Sequence, residues 1–71
     1  MRVYEIHGKA FRVSRLPSGE YLVTTGGARA GYLVADEESG DLRPSGRYAN
    51  VTADGDLEAL AKVVADDPQA P

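Results

Sequence analysis

The sequence predicts one α+β domain, a four- to five-stranded antiparallel β-meander with a single C-terminal α-helix packed on a sheet face. Three observations predict it. Turn-forming clusters recur at short intervals: His7-Gly8, Pro17-Ser18-Gly19, Gly26-Gly27, Ser39-Gly40, Pro44-Ser45-Gly46 and Asp54-Gly55. The runs between them have strand length and are rich in β-branched and aromatic residues. Helical spacing is confined to the last third, where Leu57, Leu60, Ala61 and Val64 fall at i, i+3, i+4 and i+7.

Strands are expected at residues 2–6, 10–15, 20–25, 31–35 and 47–51. The first two alternate, with Tyr4 and Ile6 on one face, Phe11 and Val13 on one face, and Arg12 and Ser14 pointing away. In the turn that follows, Pro17 presets its φ and Gly19 supplies the positive-φ position that closes a bulged hairpin. Residues 26–31 read as a longer hairpin connection. Tyr21-Leu22-Val23 and Tyr32-Leu33-Val34 are apolar at successive positions, so the centre of the sheet meets apolar material on both faces. In regular register, Leu22 and Leu33 share a face with Val3, Ala35, Ala49 and Val51. Tyr4, Ile6, Phe11, Val13, Tyr21, Val23, Tyr32 and Val34 then take the other.

In the helix, Asp54 is placed to accept backbone N–H bonds as N-cap, and Asp56 and Glu58 complement the positive end of the dipole. Glu58 and Lys62 form an acid-first i, i+4 pair on the exposed side. Asp66 and Asp67 sit unfavourably at the negative end, and Pro68 stops the helix. The domain is therefore expected to span residues 1–67, with 68–71 as a frayed tail. One helix covers one sheet face, so the other must curl towards a small barrel or meet another chain.

Size excludes much. A chain of 71 residues buries about 60% of its unfolded surface, enough for one small core. A total stability of about 4–10 kcal/mol leaves little margin for a strained, dry catalytic cavity, so no enzyme is expected. With no cysteine and one histidine there is neither a disulfide framework nor a zinc ligand set, and no cofactor is expected. The first residues lack a signal-peptide apolar run and no stretch is long enough to span a bilayer, so the expected address is the cytoplasm, without membrane contact. Six arginines against two lysines, with ten alanines and eight glycines, suggest GC-rich bacterial or phage coding.

Four features invite chemistry. His7 follows a strand on the same face as Glu5, a pair that would move a proton, although an exposed hairpin histidine usually has no such role. Residues 26–31, with Arg29, offer backbone N–H groups to an anion but match no phosphate-loop fingerprint. Asp36, Glu37, Glu38 and Asp41 cluster as calcium ligands would. Gly40 nevertheless falls fifth and Arg47 twelfth in that frame, so a soluble hairpin tip is expected there. Asn50-Val51-Thr52 fits a glycosylation sequon that means nothing without secretion. Pro17-Ser-Gly-Glu-Tyr21 also recurs as Pro44-Ser-Gly-Arg-Tyr48, one turn solution used twice.

Charge is divided along the chain. Residues 1–33 are net +3 and the rest net −6, for an overall −3. In a nucleic-acid reading, Arg12, Arg15, Arg29, Arg43 and Arg47 grip phosphates beside Tyr4, Tyr21, Tyr32 and Tyr48 as stacking rings on neighbouring strands. The net negative charge opposes it. The favoured expectation is a small non-catalytic intracellular interaction module that self-associates, as a homodimer for instance, or docks on a larger protein. Nucleic-acid binding is the alternative. Arg12, Arg15, Arg43 and Arg47 are the candidate polar contacts, and Tyr21 and Tyr48 the candidate aromatic anchors. A meander followed by a helix such as Asp54-Gly-Asp-Leu-Glu-Ala-Leu-Ala61 is similar in outline to HicB-type antitoxins and to arm-site DNA-binding domains of tyrosine recombinases. The Pro-Asp-Leu-Pro-Gly signature of the antitoxins is absent, and the chain is assigned to no family.

Overall fold

His7 and Gly8 both have positive φ, 51° and 79°, the two-residue type I′ geometry whose twist suits flanking strands. This turn joins β1 (Arg2–Ile6) to β2 (Lys9–Arg15) and sets Ile6 opposite Lys9. At the next turn the Leu16 N–H donates to the Glu20 carbonyl at 2.8 Å, delivering the chain to β3 (Tyr21–Thr25). Gly26 and Gly27, again both at positive φ, lead into β4 (Ala28–Ala35). The acidic turn then returns the chain to β5 (Leu42–Pro44), and α1 (Asp56–Asp66) follows. These elements come from a computed structural model that describes residues 1–45 and 55–71.

The five strands are antiparallel in the order β1-β2-β3-β4-β5 and form a curled half-barrel with the helix against it. The fifth strand is shorter and earlier than the run expected at 47–51, which lies outside the described residues together with Arg47, Tyr48 and Asp54. A three-residue segment containing proline carries no strand signal in sequence. It serves as an edge because proline has no N–H to leave unpaired.

One residue decides which side chains enter the core. Thr25 pairs with Ala28 and Thr24 with Arg29, the register a two-residue turn dictates, but Val23 pairs with Gly31. Ala30 is the extra residue of a β-bulge, and it reverses the facing of the rest of β4. The regular-register expectation is therefore corrected. Leu33 is fully buried on the helix side, opposite Tyr21, while Tyr32 and Val34 join Leu22 on the other face, half-buried.

The core is Tyr4, Ile6, Phe11, Val13, Val23, Ala30 and Leu33 from the sheet against Leu57, Leu60, Ala61 and Val64 from the helix. All four residues of the helical stripe are buried. The helix contacts β5, β4 and β1, so it reaches both edge strands and fills the open side of the half-barrel. Its N-cap position is Gly55, with no side-chain cap bond. Residues 68–71, expected to fray, carry contacts: Ala70 packs against the core and the Pro71 carbonyl accepts the Tyr21 hydroxyl at 2.8 Å.

Because Leu60 is fully buried and Val63, on the same helix, is 43% exposed, the two should respond differently to truncation. Leu60→Ala is expected to cost about 2–5 kcal/mol and Val63→Ala less than about 0.5 kcal/mol, measured by urea denaturation.

Candidate functional site

Two aspartates tie the helix to the first hairpin. Asp56, the first helical residue, is 1% exposed and is the buried charged side chain among the described residues. Its Oδ1 lies 2.7 Å from His7 Nδ1 and its Oδ2 accepts from Lys9 Nζ at 2.9 Å. Asp67, at the C-cap, accepts the Tyr4 hydroxyl at 2.8 Å and pairs with Arg2 Nε at 2.6 Å. The lengths agree: eleven helical steps of 1.5 Å and five strand steps of 3.3 Å both span about 16 Å. The helix therefore lies against β1 with matched ends, running opposite to it.

This arrangement accounts for an unusual backbone. His7 is the non-glycine residue with positive φ among those described, a conformation costing roughly 1–2 kcal/mol. The His7 ring is bonded to Asp56, a partner the sequence did not indicate. Hydrogen bonds from His7 and then Lys9 hold the Asp56 carboxyl below the usual carboxylate range, outweighing the opposing effect of burial. Asp67 is lowered chiefly by the backbone N–H of Gln69 and by the Tyr4 hydroxyl. Burial, with Asp67 alongside, pushes Tyr4 up to about 12.

The opposite face of the sheet carries no helix among the described residues. The register places Val3, Arg12, Thr24 and Arg29 in one row across four strands. Leu22, Tyr32, Val34 and Arg43 lie farther along the same face. The Arg29 guanidinium sits 5.7 Å from the Tyr32 ring centroid and helps to cover it. Large apolar side chains that remain exposed among the described residues are Met1, Val3 and Val63, so no broad apolar surface is left open.

Arg12 and Arg29 stand towards one end of this face, with Glu5 beside them opposite Ala10. At the Gly26-Gly27 end, Val3, Ala10, Arg12, Thr24, Thr25, Gly26 and Gly27 line an open groove of about 570 Å3 with no carboxylate in its wall. Arg29 adjoins it across Thr24. At the far end Arg43 lies beside Asp36, Glu37 and Glu38. The acidic turn itself is closed by its own bonds, the Gly40 N–H to the Asp36 carbonyl and the Glu38 N–H to Asp36 Oδ1. Among the described residues no group of three or more His, Cys, Asp or Glu is gathered as metal ligands, and no helix is long and apolar enough to cross a membrane.

The residues nominated from sequence are thus dispersed. Arg12 and Arg43 share the helix-free face but stand at its opposite ends. Arg15 lies over the Tyr21 ring at 5.9 Å, on the strand positions facing the helix side. Tyr21 is half-buried with its hydroxyl on Pro71, and Arg47 and Tyr48 fall outside the described residues. Arg29 was absent from the candidate contacts, and Asp56 was assigned to the helix dipole. The place of Arg29 follows from a two-residue Gly26-Gly27 turn in a stretch read as a longer connection, and that of Asp56 from a contact across 49 residues with no sequence signal. Comparison with known protein families, curated proteins and solved structures finds no match to this chain.

Lowered carboxyl values mean that the unfolded chain binds more protons than the native one once the pH approaches about 4. The stabilisation from Asp56 and Asp67 is present above that pH and is lost as pH falls through their lowered values. Urea midpoints should therefore drop steeply on the acid side. Asp56→Asn should lower the midpoint at pH 7 and flatten that acid limb. Tyr4, with its value raised, contributes stability up to about pH 10 that is lost towards about 12, and ultraviolet titration should show a late component absent from Tyr4→Phe.

Proposed function

We propose that this chain is a non-catalytic intracellular interaction module that docks an acidic segment of a larger protein on the helix-free face of its sheet. The observation that supports this most is the groove at the Gly26-Gly27 end, where Arg12, Thr24 and neighbouring Arg29 face outward in a chain of net charge −3. Complementary charge steers encounter and fixes register, and the apolar Val3 beside the arginine offers desolvated contact. Direct face-to-face pairing of two copies here would oppose arginine to arginine, which favours a different, acidic occupant.

A protein segment suits this face better than a nucleic acid does. Tyr4 and Tyr21 hold their hydroxyls to Asp67 and Pro71 from the other side, leaving Tyr32 as the described ring on this face. A base-stacking platform needs several such rings.

The test is a low-salt titration of isotopically labelled protein, followed by amide shifts, with three probes: a decapeptide alternating Glu and Leu, its Gln analogue, and an oligothymidine. The Glu peptide is expected to move the amides of Arg12, Thr24, Gly26 and Gly27, with the Gln peptide inert and Arg12→Glu weakening binding at least about tenfold. No response to the Glu peptide overturns the proposal. Tighter binding of the oligothymidine replaces it with the nucleic-acid reading.

A further inference from the structure

We propose that β1 is a self-association edge, on which a second copy of this chain adds its own β1 antiparallel to make one ten-stranded sheet. The two edges of the sheet are unlike. The β5 edge is three residues long and ends in proline. The β1 edge has five residues without proline or bulge and, among the described residues, one strand neighbour, β2. An unblunted edge of this kind is a template for strand addition.

The hairpin determines which groups are on offer. A two-residue turn closes on a hydrogen-bonded pair, here Ile6 with Lys9, and such pairs alternate along the strands. Ile6, Tyr4 and Arg2 therefore bond to β2, and the N–H and C=O groups of Val3 and Glu5 point to the free side. Val3 is 53% exposed and Met1, on the same face, is 72% exposed. Two of the exposed large apolar side chains thus lie along this edge.

Symmetry then selects the register. A closed dimer needs a two-fold axis perpendicular to the sheet, which sets one residue of β1 opposite itself. Centring on Arg2 or Glu5 would oppose like charges. Centring on Tyr4 would set Val3 against Glu5 of the second copy. Centring on Val3 sets valine against valine with reciprocal bonds between the two Val3 residues, leaves Met1 diagonal to it, and puts Glu5 opposite Met1 of the second copy. A five-residue seam is small beside a standard interface, so the dimer belongs to the weak, concentration-dependent class.

Sedimentation equilibrium of the whole chain over a micromolar to millimolar series tests this, with hydrogen exchange on the same samples. The weight-average mass should rise from 7.6 kDa towards twice that value, and the Val3 and Glu5 amides should become slower to exchange with concentration. Val3→Lys should hold the mass at the monomer value with its thermal melt retained. Glu5→Pro, which removes a donor facing the free side and none used by β2, should do the same if the first variant folds poorly. Arg12→Glu should leave the association unchanged. A mass constant at 7.6 kDa across the series overturns the proposal, as does association lost in Arg12→Glu but kept in Val3→Lys.

Discussion

Eleven helical residues must close the open side of a five-stranded half-barrel, and the protein's order depends on that closure. Leu57, Leu60, Ala61 and Val64 are the inner wall opposite Phe11, Val13, Val23 and Leu33. Neither wall buries its apolar face without the other, so hairpin and helix are expected to form together. The same seam explains the two aspartates. A helix laid across a curled sheet on a few small side chains needs its ends fixed, and Asp56 and Asp67 do this from positions one turn or less beyond the stripe.

A buried carboxylate is a poor source of stability in itself, since desolvation opposes the gain from pairing. Asp56 avoids most of that cost because His7 and Lys9 supply a hydrogen bond to each of its two oxygens and Lys9 an opposite charge. Its contribution lies in selecting one placement of the helix. Sliding the helix by a turn along β1 would take Asp56 away from His7 while leaving apolar side chains against apolar side chains. Specificity of position is thus carried by polar contacts and bulk stability by the leucines.

Much of this architecture was legible in the sequence, and the errors have one physical source. Turn chemistry at His7-Gly8, Pro17-Gly19 and Gly26-Gly27, alternation in β1 and β2, and the helical stripe are local signals, and each element they mark is found. The facing of β4 is not local. The Gly26-Gly27 turn sets a register that Ala30 then breaks, so Leu33 and Tyr32 exchange sides relative to a regular ladder. That exchange buries the leucine and leaves the tyrosine, with its polar tip, beside Arg29. The candidate contacts suffered accordingly. The two-residue Gly26-Gly27 turn puts Arg29 in line with Arg12, the bulge brings Tyr32 to the same face, and Tyr21 is committed inward by its hydroxyl bond to Pro71.

The two proposals, made on different observations, meet at Val3. The row Arg29-Thr24-Arg12-Val3 runs across the sheet and ends at the β1 edge. A two-fold axis through the Val3 position would continue that row into Val3, Arg12, Thr24 and Arg29 of the second copy. The groove at each Gly26-Gly27 end has Val3 in its wall, so the two grooves would face each other across an apolar centre flanked by arginines. Strands spaced about 4.8 Å apart put the two Arg12 side chains roughly 14 Å from one another, within reach of one extended segment of five or so residues. A weak strand seam and a modest charged groove would then reinforce each other: an acidic segment bridging both copies contributes its binding energy to the dimer, and the dimer presents both grooves at high effective concentration.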